Sequence, residues 1–270
     1  MNINHLFTRA LTPALAGGAR VIIVLLALGA LGAEPSRAAE QRPEGFRKPF
    51  GSGMPNAPAA ARVVNYGTDG ADTQTNLGTA DPDTILQYGR AGNDTQYAGG
   101  LAADDWIEQG GGDGNDTQNA EGGSGSDYIS QSGGNGNDTM EVSDGAGDDQ
   151  VWQSGGAGND SMNVMTGEGN DYIYQDGGPG DDTMKVDGGA GNDLIHIHVG
   201  GGNDTVTSNG GSDNDTAIIV VANPNFTILD ALGQVLYQRG TGGSRITVKN
   251  VECLKVFGPN GAVFVLGCGL

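Results

Sequence analysis

Basic residues are scarce: 13 Lys and Arg stand against 33 Asp and Glu, for a formal net charge of −20. Binding to a phosphate backbone needs a basic face, so the composition argues against any nucleic-acid partner. Cysteine is nearly absent. The two present, Cys253 and Cys268, lie close to the C-terminus and leave the rest of the chain without a thiolate for a soft metal. Histidine is nearly as rare, with three in the chain; His196 and His198 share one strand face, with no third ligand evident beside them. No serine occupies a Gly-x-Ser-x-Gly elbow and no Ser/His/Asp set suggests itself, so the chain is read as non-enzymatic. The longest apolar stretch, Val21–Ala33, is too short to cross a membrane comfortably.

That stretch has a different reading. Arg9 and Arg20 precede it, and Ser36-Arg37-Ala38 follows as a small-x-small cleavage site. Residues 1–38 are therefore expected to be an export signal cut after Ala38, with a cut after Ala33 or an uncleaved anchor as alternatives. The mature chain would be secreted, extracellular or at the cell surface, with no membrane span. In such an oxidising compartment a Cys253–Cys268 disulfide is plausible, although sequence alone cannot place the two Cα atoms within reach. Residues 39–61, rich in Pro, Ala and Gly and without periodicity, read as a flexible linker.

What the chain has in excess is glycine, 50 residues, with no strict Gly-X-Y period that would indicate collagen. The glycines are tied to an Asp that recurs every eleven residues: Asp72, Asp83, Asp94, Asp105, Asp116, Asp127, Asp138, Asp149, Asp160, Asp171, Asp182, Asp193, Asp204 and Asp215. Six turns carry a complete Gly-Gly-x-Gly-x-Asp, those ending at Asp116, Asp127, Asp138, Asp160, Asp182 and Asp193. The turns ending at Asp149, Asp171 and Asp204 differ only at the first Gly; those ending at Asp72, Asp83 and Asp105 are degraded, and Asp213 replaces the third Gly before Asp215. A fixed period over this length signals a solenoid.

These turns resemble the Gly-Gly-x-Gly-x-Asp-x-apolar-x nonapeptides of the RTX, or haemolysin-type, calcium-binding family. Gly133–Glu141 matches all nine positions, with Met140 as the apolar one, and the resemblance spans roughly residues 67–220. It implies a parallel β-roll that binds Ca²⁺ between stacked turns, through Asp carboxylates and turn carbonyls. The departure is the period, eleven rather than nine. Two added residues lengthen each strand without changing which side chains point inward.

A second period, of twenty-two, separates two kinds of strand. Positions two and four after each Asp alternate between an Ile/Gln series (Ile107/Gln109, Ile129/Gln131, Ile173/Gln175) and a series running from Gln/Ala to Met/Val (Gln118/Ala120, Met140/Val142, Met162/Val164). Two series predict two sheets, so the fold is expected to be all-β: a β-solenoid of about seven two-strand coils over residues 62–215. Its Gln column is expected to form coil-to-coil hydrogen bonds, because buried amides must be paired. Residues 216–270 leave the repeat and read as a C-terminal β cap, with strands at 217–221, 226–229, 235–238, 246–256 and 263–266.

Oxygen-only ligands suit Ca²⁺, with several ions expected. The candidate ligands are the twelve Asp residues from Asp94 to Asp215 and the first glycines of the six intact turns, Gly111, Gly122, Gly133, Gly155, Gly177 and Gly188. Stacked carboxylates repel, so the bound ions would contribute directly to folding. Trp106, Tyr128, Trp152, Tyr172 and Tyr174 fall on the outer face of the Gln sheet. They read either as a docking face for cells, glycans or another copy, as in a surface adhesin, or as cross-strand stacking within the sheet.

Overall fold

The computed structural model describes residues 62–259 and 261–268; the expected signal segment 1–38 and linker 39–61 lie outside them. Every regular element among the described residues is a strand. In chain order these are β1 (Arg62–Tyr66), β2 (Thr73–Leu77), β3 (Thr84–Ala91), β4 (Thr95–Ala102), β5 (Trp106–Asp113), β6 (Thr117–Ser124) and β7 (Tyr128–Asn135). There follow β8 (Thr139–Ser143), β9 (Gln150–Ala157), β10 (Ser161–Glu168), β11 (Tyr172–Asp176), β12 (Thr183–Ala190), β13 (Leu194–His198) and β14 (Thr205–Ser212). The last six are β15 (Thr216–Val220), β16 (Phe226–Leu229), β17 (Val235–Arg239), β18 (Ser244–Lys249), β19 (Cys253–Gly258) and β20 (Gly261–Leu266).

Odd-numbered strands from β1 to β15 build one sheet, continued by β19 and β20; even-numbered strands from β2 to β14 build the other, continued by β18, β16 and β17. Within the repeat every pairing is parallel and joins residues 22 apart, as in Ile107↔Ile129 and Met162↔Met184. The chain is thus a two-sheet parallel β-solenoid, and each coil consumes two eleven-residue repeats. Strand residues alternate between buried and half-buried, as the period of two requires.

The inward columns are the expected ones. Ile85, Ile107, Ile129, Val151, Ile173 and Ile195 face Met140, Met162, Met184 and their neighbours, and each is at most 1% exposed. The glutamines between them form a continuous ladder: Gln109, Gln131, Gln153 and Gln175 each donate from Nε2 to Oε1 of the glutamine one coil earlier, at 2.8 Å. The same Nε2 groups donate a second bond to carbonyls of the facing sheet, such as Gln131 to Glu141 at 3.0 Å. One amide column therefore ties coil to coil and sheet to sheet. A shorter ladder, Gln118 to Gln96 to Gln74, does the same in the first coils of the other sheet.

The roll is longer than the expected seven coils, at about eight turns. After β15 the chain inserts an antiparallel hairpin, β16–β17, and then resumes the coil: β18 pairs in parallel with β14 and β19 with β15. The single strand expected over 246–256 is in fact two. Asn250 adopts a left-handed φ of 45° between them, which sends β18 and β19 to opposite sheets. The cap proper is the β16–β17 hairpin and β20, which runs antiparallel to β19. Cys253 and Cys268 are joined, with Cα atoms 4.4 Å apart, and tie the end of β20 to the start of β19.

Replacing Gln131 by Ala should cost about 2–4 kcal/mol, since it opens a cavity and strands the Oε1 of Gln109 and one donor of Gln153. Urea unfolding measures this; a loss below about 0.5 kcal/mol would show that the ladder contributes little.

Candidate metal centre in the turns

Each intact turn uses its three glycines in two ways. In the turn ending at Asp138, Gly134 and Gly136 have φ of 113° and 135°, which side-chain-bearing residues rarely adopt. Gly133 has no such φ. It is a buried strand-end position whose missing side chain leaves room for the Asp: a Cβ there would lie 2.3 Å from Asp138 Oδ2 and 2.6 Å from the carbonyl oxygen of Gly155, one coil on. The same convergence of carboxylate and carbonyl occurs beside Gly111, Gly155 and Gly188, and more loosely beside Gly177.

The aspartates stand in two columns. Asp94, Asp116, Asp138, Asp160, Asp182 and Asp204 precede the even strands; Asp105, Asp127, Asp149, Asp171, Asp193 and Asp215 precede the odd ones. All twelve are 1–2% exposed. One oxygen of each is committed to the backbone. Oδ1 accepts the N–H of the Asp one coil earlier, as from Asp116 to Asp138 at 2.7 Å and from Asp149 to Asp171 at 2.9 Å. The C-terminal extension completes both columns, with Ser244 Oγ accepting from Asp204 N and Glu252 Oε2 from Asp215 N.

The second oxygen behaves differently along the roll. In the degraded first turns it is satisfied locally: Thr68 N donates to Asp72 Oδ2 at 2.5 Å, and Thr79 N donates to Asp83 Oδ2. From Asp94 onward Oδ2 is buried without a hydrogen-bond partner at Asp94, Asp105, Asp116, Asp127, Asp138, Asp149, Asp160, Asp171, Asp182, Asp193 and Asp215. At Asp204 it accepts from Ser244 Oγ at 3.0 Å. A buried, unpaired carboxylate oxygen facing a carbonyl is costly unless a proton or a cation joins them.

Burial therefore raises these carboxyls from the ordinary 3.8. Asp105, Asp138 and Asp182 rise to about 7, Asp149 to about 8 and Asp193 to about 6. The N–H from the previous coil opposes the rise, and stacked carboxylates such as Asp116 and Asp160 beside Asp138 add to it.

Two features were missed in the sequence. Where the residue before the Asp is Asn or Asp, it forms an outer ladder of opposite direction: the N–H of Asn137 donates to Asn115 Oδ1 and that of Asn159 to Asn137 Oδ1, both at 2.7 Å. The recurrent Asn at that position was its signal. The second is Asp144, which replaces the first Gly of its turn. Asp127, Asp144 and Asp149 each offer a carboxylate oxygen within 4.8 Å of the others, so this acidic group has the spacing to hold a metal ion. Burial, then the charges of Asp149 and Asp127, pushes Asp144 up to about 9.

The aromatic residues lie half-buried on the outer face of the odd sheet. Trp106 stacks on Tyr128 and Trp152 on Tyr174, each with centroids 4.1 Å apart, while Tyr172 pairs across to Gln150 and Leu194. The stacks account for much of this face as sheet stabilisation. His196 and His198 lie 4.9 Å apart, and burial lowers His196 to about 4. Among the described residues no helix is long and apolar enough to cross a membrane. No protein-family model matches the chain, and neither a curated protein nor a solved structure does.

The raised carboxyls fix a sign. A group whose folded pKa exceeds its unfolded value stabilises the fold fully below about pH 4, and that contribution is lost as pH rises through the folded pKa. In EDTA the urea midpoint should therefore fall between pH 4 and about pH 8. A flat or rising profile would contradict buried, unpaired aspartates.

Proposed function

We propose that this chain is an exported calcium-binding repeat protein, similar to the RTX family in an eleven-residue variant, whose ions lie between successive coils and couple binding to folding. The observation that carries this reading is the row of buried Oδ2 atoms without partners, each column running through successive coils. The neighbouring charges that act on Asp138 and Asp182 are other carboxylates, so the columns lack an internal counter-charge. Asp Oδ2 and the first-glycine carbonyl one coil on face the same space, for instance Asp116 with Gly133 and Asp160 with Gly177. Such hard oxygen donors favour Ca²⁺ over softer ions, and over Mg²⁺ where the geometry is not octahedral. The residues present thus fit the ion in the intact turns. The turns ending at Asp72 and Asp83, with Oδ2 already bonded, are expected to be empty.

In this reading the protein is not an enzyme. Calcium would screen two carboxylate columns, and the roll would complete its folding where calcium is plentiful, outside the cell.

Far-UV circular dichroism during a calcium titration from EDTA, with magnesium as control, tests this. A calcium-specific rise in β signal or melting temperature is expected. Each site contributes about 2.7 kcal/mol at free calcium a hundredfold above its Kd. Asp138→Asn should keep the side-chain acceptor for the Asp116 N–H but bind fewer ions. A spectrum and melting temperature indifferent to EDTA, magnesium and calcium alike would overturn the proposal.

A further inference from the structure

Along one edge of the roll the first-glycine positions stack as Gly100, Gly122, Asp144, Thr166, Gly188 and Gly210. Two side chains interrupt this glycine column, and they do different things. Thr166 is fully buried and donates its hydroxyl to the Gly188 carbonyl at 2.7 Å, a neutral bond within the corner. Asp144 brings a carboxylate into the same corner. It fits because the preceding coil has glycine there: a Cβ on residue 122 would lie 2.0 Å from Asp144 Oδ1 and 2.6 Å from Asp127 Oδ2.

We propose that Asp127, Asp144 and Asp149 form one divalent-cation site, a turn site of the array enlarged by a third carboxylate and the first to fill. This deepens the calcium-binding reading and rests on it for the identity of the ion. Three carboxylates converge within 4.8 Å, a span that one ion with oxygen ligands at about 2.3–2.6 Å bridges. Asp127 and Asp149 are 2% and 1% exposed, and their Oδ2 atoms have no partner. Asp144 Oδ2 has none either, and its Oδ1 accepts the N–H of the adjacent Gly145 at 3.1 Å. Elsewhere the corner offers one Asp per turn. Calcium affinity rises with the charge of the ligand set, so the added carboxylate makes this position the tightest.

Calorimetric titration of the full chain with Ca²⁺, compared with Asp144→Gly, tests the site. The variant restores the residue found at positions 122 and 188, and circular dichroism checks its fold. Asp144→Asn, which keeps the shape and removes the charge, gives the answer if the glycine variant does not fold. In the unmodified chain one equivalent should bind about tenfold or more tightly than the rest. That step should vanish in Asp144→Gly and weaken in Asp144→Asn, with the weaker equivalents retained. Superimposable isotherms with several ions bound would overturn this site and leave the array standing. A single equivalent that disappears with Asp144 would keep the site and overturn the array. No binding in any variant would overturn both.

Discussion

A carboxylate that holds the backbone with one oxygen and nothing with the other is the constraint on which this roll is arranged. The bound oxygen, Oδ1, takes the N–H of the Asp one coil earlier and thereby fixes the stacking interval at 22 residues. The free oxygen needs space, and the first glycine of each turn supplies it; the two later glycines then carry the left-handed backbone that returns the chain to the facing sheet. Glycine content, acidity and period thus follow from one packing problem, the accommodation of an acid in a buried corner. Burying so many acids without bases makes the corners unstable when ionised, so proton and cation compete for the same positions.

Against that demand the hydrophobic core is modest. Narrow columns of Ile, Val and Met are interleaved with glutamine, and the amides do much of the joining between coils. Ladder and column differ in how they extend. An amide ladder needs an uninterrupted run of the same residue, and it stops where Ile197 follows Gln175 and Met140 follows Gln118. The Asp columns tolerate a change of residue at their end, where Ser244 and Glu252 take over as acceptors.

Much of this was legible in the sequence because side-chain direction in a strand depends only on parity. The eleven-residue spacing gave the inward positions, the alternation of Ile129/Gln131 with Met140/Val142 gave two sheets, and the hairpin strands at 226–229 and 235–238 followed from apolar runs between turns. The eighth coil was not legible. Its strands pair with residues 40 and 37 positions earlier rather than 22, because a hairpin intervenes, and no period survives that insertion. Asp144 was hidden for another reason: it stood among turns that differ at the first Gly, where Asp, Thr and Val looked like equivalent departures. Only their position in the corner separates a charged side chain from a hydroxyl and from the fully buried Val199.

The in-register interval has a consequence for how such a chain can change length. Excising 22 residues from the middle of the roll would rejoin each column to its own kind, Gln to Gln and Asp corner to Asp corner. Excising 11 would preserve every turn yet place Met strands beneath Ile/Gln strands and cut the amide ladder. The heritable unit of this architecture is therefore the coil, not the motif by which it is recognised, and copies gained or lost in whole coils would lengthen or shorten the rod without disturbing its ends.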